Sequence, residues 1–304
     1  MKNIIITGSD GQLASDIIKE LKKHNDYNVY TFNRKQLDVT NFFEVEKTFN
    51  TFMPDVWIQL ASYHVVEQIN NNPVEACNVN IASLHVISNL CNKNNCTLIN
   101  FSTNYVFDGK YMPTENYDVL EHYNEYDHPN PVNLYGILKY AGERVVATTA
   151  NRFYNIRVSG LFSKQGSRAK NGKSFPSIII DSLKEKGYAE VVSDQTINLT
   201  YTPTAAYWVE KMIRNEDKSN YGTYHLVNKG KLSWYDAAII IGEALGRADD
   251  IKEINTKDFY TNISRPIYTP LNPTKIEKTF GNGEELPHIK DDLYKYLIEI
   301  GEIV

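Results

Sequence analysis

Short apolar runs and amphipathic stretches alternate through the first half of the chain. Ile4 to Thr7 is a compact apolar run, followed by a glycine-containing turn and an amphipathic stretch from Leu13 to Lys23. The pair recurs. Val29 to Phe32 reads as a strand, Phe42 to Phe52 as a helix stopped by Pro54, and Asp55 to Leu60 as a third strand. A long helix opens at Pro73, a residue suited to a first helical turn, and reaches Asn92. Thr97 to Ser102 is a fourth strand, Asn133 to Thr149 a helix and Tyr154 to Val158 a fifth strand. Such alternation predicts an α/β fold, a doubly wound parallel sheet covered on both faces. The second half is less regular. Helices are expected at Phe175 to Lys186, Thr204 to Arg214, Ser233 to Leu245 with Ser233 as N-cap, and Ile289 to Ile300, with strands at Ala189 to Val192 and Thr223 to Val227.

Composition narrows the picture. With 304 residues, 42% hydrophobic and 23% charged, the chain has material for a large core and does not read as disordered. A net charge of -5 without a long Lys/Arg run argues against nucleic acid as a partner, though it leaves room for a local anion site. Cys77, Cys91 and Cys96 lack the spacing of a zinc site and do not make a disulfide framework, so reduced thiols and no metal are expected. No apolar run reaches membrane-spanning length, and the apolar stretch after Met1 and Lys2 is too short for a signal-peptide core. The expectation is a cytoplasmic protein that binds no membrane.

The first turn carries chemistry. Gly8-Ser9-Asp10-Gly11-Gln12-Leu13-Ala14 is a G-x-x-G-x-x-A pattern at the first strand-to-helix junction. Gly8 permits a sharp turn, Gly11 lets backbone approach a pyrophosphate, and Ala14 lets the helix pack closely on the strand. Amides at the helix start then face phosphate. This predicts a Rossmann-type dinucleotide-binding unit over residues 1–157. Residues 158–304 form a smaller, mainly substrate-binding region from which later segments return to the sheet. After the second strand stand Asn33 and Arg34, where a carboxylate would select NAD. Arg34 suits a 2′-phosphate, so NADPH is expected, with NADH possible. Asp38 and Val39 lie within reach of the adenine.

Tyr-x-x-x-Lys sets a phenol and an ammonium one helical turn apart. It occurs at Tyr135 to Lys139 and at Tyr207 to Lys211. The first opens a helix after the fourth strand, at the sheet edge where ligands bind, and Thr103 ends that strand. Hydride addition to a ketone leaves an alkoxide needing a proton. A phenol beside an ammonium is expected to have a lowered pKa and to supply it, while the Thr103 hydroxyl polarises the carbonyl.

These residues resemble the extended short-chain dehydrogenase/reductase family and, within it, the dTDP-4-dehydrorhamnose reductase branch. The resemblance rests on Gly8 through Gly11-Gln12-Leu13, Leu37-Asp38-Val39-Thr40, Ala61-Ser62-Tyr63, Thr103-Asn104-Tyr105-Val106-Phe107-Asp108-Gly109, Tyr135 to Lys139, and Arg265-Pro266. It implies reduction of a nucleotide-linked 4-keto-6-deoxyhexose with Thr103, Tyr135 and Lys139 catalytic. It also implies Asp10, Gln12, Leu13, Leu60, Ala61 and Ser62 beside the cofactor, and Val66, Thr103, Asn104 and Tyr105 beside the sugar. Arg265 is a candidate for the substrate phosphates, because guanidinium suits bidentate contact; a structural salt bridge is the competing role.

Three departures matter. Asn104 stands where the branch usually has Asp; an amide cannot abstract a proton from carbon, so no epimerase activity is expected. Gly160 replaces an aromatic and is expected to open the pocket. The loop from Tyr111 to His128 is long and is expected either to form one wall or to be a disordered surface insertion. The family also implies a homodimer through the helices from Pro73 and Asn133, with Val86, Leu90, Leu138 and Val145 as candidate exposed apolar positions that core packing would explain equally well. The chief alternative is a non-catalytic NADP-binding regulatory subunit like that of methionine adenosyltransferase. A 4-epimerase with tightly held NAD is a third reading, and the missing carboxylate after the second strand speaks against it.

Overall fold

The computed structural model describes residues 1–110, 122–258 and 263–304. The first half runs β1 (Lys2–Thr7), α1 (Gln12–Leu21), β2 (Tyr27–Phe32), α2 (Phe42–Phe52), β3 (Val56–Gln59), α3 (Val66–Ile69), α4 (Pro73–Cys77), α5 (Ser83–Lys93), β4 (Thr97–Thr103), α6 (Leu134–Thr149) and β5 (Phe153–Val158). The second half adds β6 (Leu161–Phe162), α7 (Phe175–Lys186), β7 (Ala189–Val192), β8 (Thr196–Ile197), β9 (Thr200–Tyr201), α8 (Thr202–Arg214), β10 (Gly222–His225), β11 (Leu232–Ser233), α9 (Trp234–Ala244), β12 (Ile251–Ile254), α10 (Thr274–Phe280) and α11 (Ile289–Glu299).

Strand periodicity builds the layers. Ile4, Ile5 and Ile6 are all fully buried, yet successive side chains point to opposite faces. Ile4 and Ile6 join Val56, Ile58, Ile99 and Ile156 under α1 and α8, whereas Ile5 joins Trp57 and Leu98 against Phe49 of α2 and Ile87 of α5. The result is a six-stranded sheet in the order β10-β5-β4-β3-β1-β2, with every pairing parallel. β10 comes from the second half and pairs with β5, and α8 and α10 carry Trp208, Met212 and Phe280 into the same core. A separate core joins α7, α9 and α11 through Ile180, Leu183, Ile241, Leu293 and Leu297.

Local signals explain most boundaries. Ser233 caps α9 through a capping box, its hydroxyl accepting from Asp236 N while the Asp236 carboxylate accepts from Ser233 N. α8 starts at Thr202 rather than Thr204, because Pro203 sits comfortably in its first turn. The helix from Pro73 is not uniform. A π-helical turn, Asn78–Ala82, separates α4 from α5.

Of the two readings of the apolar residues on α5 and α6, exposure or core packing, the structure shows packing. Val86, Leu90 and Val145 pack against the core between α2, α5 and the sheet, and Leu138, 4% exposed, packs with Ile69 and Ala76. None is an exposed apolar position, because helices flanking a sheet turn their apolar stripe toward it. On these helices Val74 and Ile137 are exposed instead. Residues 111–121 of the long loop lie outside the described residues. In its described end, Tyr123 stacks on Phe107, its amide donates to the Pro270 carbonyl, and Glu125 accepts from the His225 amide.

A polar knot closes the opposite, N-terminal edge of the sheet. The Glu216 carboxylate accepts from Thr97, from Tyr221 at 2.6 Å, from Arg152 at 2.7 Å and from Lys2 at 3.3 Å. Burial works against the charge, but these donors outweigh it and hold the carboxyl down at about 2. A depressed carboxylate stabilises the fold above its unfolded pKa and loses that contribution as pH falls from about 4.5 toward about 2. Glu216→Gln should therefore cost roughly 1–3 kcal/mol at neutral pH after allowance for solvent screening, with the deficit shrinking below about pH 4. Urea unfolding of both proteins at the two pH values checks this.

Candidate active site

The strand order reverses beside β1, since β2 lies to one side and β3 to the other. Such a switch point leaves a crevice at the carboxyl ends of the strands. A cleft of about 560 Å³ lies there. Gly8, Asp10, Gly11, Gln12, Leu13, Asn33, Arg34, Asp38, Val39, Leu60, Ala61, Ser62, Tyr135 and Lys139 all line it. The structure thus brings together every residue expected beside the cofactor.

Gly8 has φ +72°, and a Cβ there would lie 2.5 Å from the Ala61 amide nitrogen, so the turn tolerates no side chain. Gly11 differs. A Cβ on it would meet only the Gly8 carbonyl oxygen, at 3.3 Å, so its bareness leaves a cradle open to the cleft. Gly11 N-caps α1 without a side-chain cap, and the first turn holds no acidic residue, so its free amides face the crevice. Gln12 Oε1 and Ser102 Oγ are buried in the cleft wall without a protein partner. These features fit a dinucleotide, its pyrophosphate over Gly11 and the helix start. At the far end Arg34 reaches Glu75 at 2.8 Å and Asp38 at 3.4 Å.

α6 positions the catalytic candidates. Asn133 caps it, its side chain accepting from Gly136 N at 2.9 Å. A Cβ on Gly136 would lie 2.2 Å from the Tyr105 carbonyl oxygen, and one on Gly142 2.6 Å from that of Asn80. The helix therefore presses against both the exit of β4 and the π-helical turn. The Tyr135 phenol lies beside the Thr103 side chain, and its ring meets Tyr105 edge-to-face, with centroids 5.7 Å apart.

The electrostatics differ from the sequence expectation. Burial pushes the Tyr135 phenol up to about 12, with the Thr103 side chain opposing. Burial also brings Lys139 down to about 8, with Glu143 one turn on opposing. Glu143 is itself buried and held by Arg157 at 2.9 and 2.7 Å, so α6 carries its own charge pairing beneath Lys139.

The sugar-side residues are less accessible. Asn104 is buried, donates to Thr269 Oγ1 at 2.7 Å and accepts from Thr103 at 3.2 Å, so its amide is engaged within the protein. Val66 shares a smaller hollow with Asn133 and Tyr135. Arg265 donates to Glu67 at 2.5 Å and to the Tyr105 hydroxyl at 3.2 Å. Gly160 does not open the pocket. With φ +48°, its missing Cβ would lie 2.5 Å from Leu199 Cδ2, so packing already fills that space. Tyr207 and Lys211 sit elsewhere, Lys211 pairing with Glu284.

Several residues escaped the sequence reading. Asn80 grips the loop after β3, donating to Tyr63 O at 2.9 Å and accepting from Tyr63 N at 3.0 Å and Ser62 Oγ at 3.2 Å. Val79-Asn80 forms part of the family resemblance in the sequence, but nothing there gives Asn80 this role. Tyr63, His64, Ser102, Ser167, Arg168 and Ala169 also line the cleft, and Arg168 pairs with Asp10 at 2.8 Å. The last three lie in an irregular segment with no periodic signal.

With this geometry in hand, comparison with known proteins is direct. The family model described as RmlD substrate binding domain matches residues 1–301. A dTDP-4-dehydrorhamnose reductase of Aggregatibacter actinomycetemcomitans is 30% identical over 291 residues, 92% of this chain and 94% of that one. The spore coat polysaccharide biosynthesis protein SpsK of Bacillus subtilis is 27% identical over 299 residues, 98% of each. Among solved structures, the dTDP-4-dehydrorhamnose reductase of Bacillus anthracis in complex with NADP superposes with a TM-score of 0.86 at 29% identity, covering 98% of this chain and 99% of that one. Matched along nearly its whole length and carrying the Tyr135, Lys139 and Thr103 constellation on a dinucleotide cleft, the chain belongs to the RmlD substrate binding domain family.

Proposed function

We propose that this protein is an NADPH-dependent reductase of the 4-keto group of a nucleotide-linked 4-keto-6-deoxyhexose, a dTDP-4-dehydrorhamnose reductase in kind. The observation that carries the reading is the meeting of Tyr135, Thr103 and Lys139 at the end of a cleft whose other end fits a dinucleotide. The relative solved with NADP supports the cofactor. Bound NADPH supplies hydride to the carbonyl carbon. The protein's residues handle the proton. Tyr135, pushed up to about 12, keeps its proton through the neutral range and releases it to the far more basic alkoxide. Thr103 donates to the same oxygen as charge develops. Lys139 holds the nicotinamide ribose and supplies positive charge beneath the phenol. Asn104, an engaged amide, abstracts no proton from carbon, so reduction proceeds without epimerisation. A working catalytic set favours an enzyme over a regulatory subunit.

Among the described residues no helix is long and apolar enough to cross a membrane. A cytoplasmic location accords with a substrate and cofactor that are both soluble. A homodimer through α4, α5 and α6 would cover the exposed Val74 and Ile137.

NADPH consumption should be seen with a dTDP-linked 4-keto-6-deoxyhexose within a small panel of nucleotide-linked 4-keto sugars; no turnover with any member contradicts the reading. Tyr135→Phe keeps the ring and removes the proton, so kcat should fall by about 10²–10⁴ while NADPH affinity holds. Near-normal turnover would remove Tyr135 from its role. Arg34→Ala should raise KM for NADPH several-fold, roughly one exposed charge-assisted contact, and leave NADH nearly unaffected. An equal response to both cofactors would show that Arg34 selects neither.

A further inference from the structure

Two buried charges of opposite sign stand one turn apart on α6 and do not pair. Lys139 and Glu143 are 6% and 3% exposed, on the same buried face of the helix. Residues four apart on a helix are neighbours, and a helical side chain leans back over the turn before it. The Glu143 side chain is thereby directed toward Lys139. A buried charge without a partner is costly, so an ion pair is the outcome this spacing favours. Among the described residues Lys139 nevertheless makes no hydrogen bond or ion pair, and it lines the cleft.

The Glu143 carboxylate is already taken. Arg157 reaches it from β5 and donates to both oxygens, through Nε at 2.9 Å and Nη2 at 2.7 Å. A planar fork on both oxygens fixes a carboxylate in one orientation, which the single point charge of a lysine cannot match. Arg157 is itself locked in place. Strand register sets it between Ser102 of β4 and His225 of β10. Its guanidinium carbon lies 5.1 Å from the centroid of the Phe107 ring, and its Nη1 lies 3.4 Å from His225 Nε2. Asn155, two residues earlier on β5, donates to the Glu143 carbonyl at 3.1 Å and accepts from Asn100 at 2.8 Å. The turn of α6 after Lys139 is thus fastened to the sheet at its side chain and at its backbone.

We propose that Arg157 is a positioning residue for Lys139: by holding Glu143 it keeps the lysine ammonium free for the cofactor ribose and the phenol. The inference rests on the reading of Lys139 as the cation that serves them. The titratable and charged groups facing Lys139 are Tyr135 and Glu143 on α6 and His64 after β3, with Arg157 of β5 on the far side of Glu143. As a stability element alone the pair would be a weak choice, because desolvation offsets its attraction.

Losing Arg157 should let Glu143 draw Lys139 away from the cleft. Acetic anhydride labelling of the cofactor-free protein over a pH series, read at Lys139 by peptide mass spectrometry, gives the pH at which its amine is half charged. Arg157→Gln should raise that midpoint by about one unit, because a freed carboxylate favours the ammonium. NADPH affinity, titrated separately, should fall about tenfold, the size of one lost charge-assisted contact. Adding Glu143→Gln should return both values to near native, since no carboxylate is then left to draw the lysine. Where a thermal melt shows that Arg157→Gln no longer folds, Arg157→Lys, which keeps the charge and loses the fork, is read for the same two changes. A raised midpoint with undiminished NADPH affinity is a field effect without capture and overturns the proposal. So does a midpoint that stays or falls, or a folded double variant no better than the single one. If the native enzyme reduces keto sugars while midpoint and affinity stay put in the Arg157 variants, only this positioning role fails. If both move as stated but no nucleotide-linked keto sugar is reduced, the positioning role stands and the reductase reading fails.

Discussion

Two glycines inside one helix set the position of everything at the site. Each costs about 1 kcal/mol relative to alanine in a helix interior. In return α6 approaches the Tyr105 carbonyl at Gly136 and the Asn80 carbonyl at Gly142 more closely than any Cβ would allow. That approach brings Tyr135 to Thr103 and buries Lys139. It also sets α6 against the π-helical turn, whose Asn80 side chain holds the Ser62 and Tyr63 wall of the cleft. A side chain at either glycine would lift the helix and separate the catalytic groups from the strand edge.

Burial then decides the charge states. The phenol is held protonated and the ammonium is brought toward neutrality. Lys139 lies one turn along α6 from that phenol. Its positive charge is sustained by Glu143, which is in turn fixed by Arg157 and, beyond it, His225 at 3.4 Å. Buried ion pairs are seldom worth their desolvation as stability elements, and this one underlies the catalytic helix.

The sheet was legible because its strands are short apolar runs bounded by turns, and because Pro54 stops α2 and Ser233 caps α9. The glycine turn and the Tyr135 to Lys139 spacing were legible for the same reason: their chemistry is local. What the sequence hid is tertiary. The two-residue strands β6, β8, β9 and β11 exist only through their partners. The π-helical turn shows itself only through what Asn80 grips. Apolar residues on α5 and α6 carry no mark of which neighbour covers them: Leu138 proved to be core, and Val86, Leu90 and Val145 pack half-buried against the core. Gly160 looked like missing bulk, yet its space is taken by Leu199 from a distant segment.

The central claim is that hydride goes to the sugar C4 and a proton to its oxygen, with no exchange at neighbouring carbons. Incubation with NADPH deuterated at its transferring position, and separately with ordinary NADPH in D2O, places the label by NMR. The account predicts deuterium at C4 in the first product and no carbon-bound deuterium in the second, when the 4-keto sugar supplied is already of the reducible configuration. Solvent deuterium at C3 or C5 at the rate of turnover, or no label at C4 from the cofactor, would contradict it.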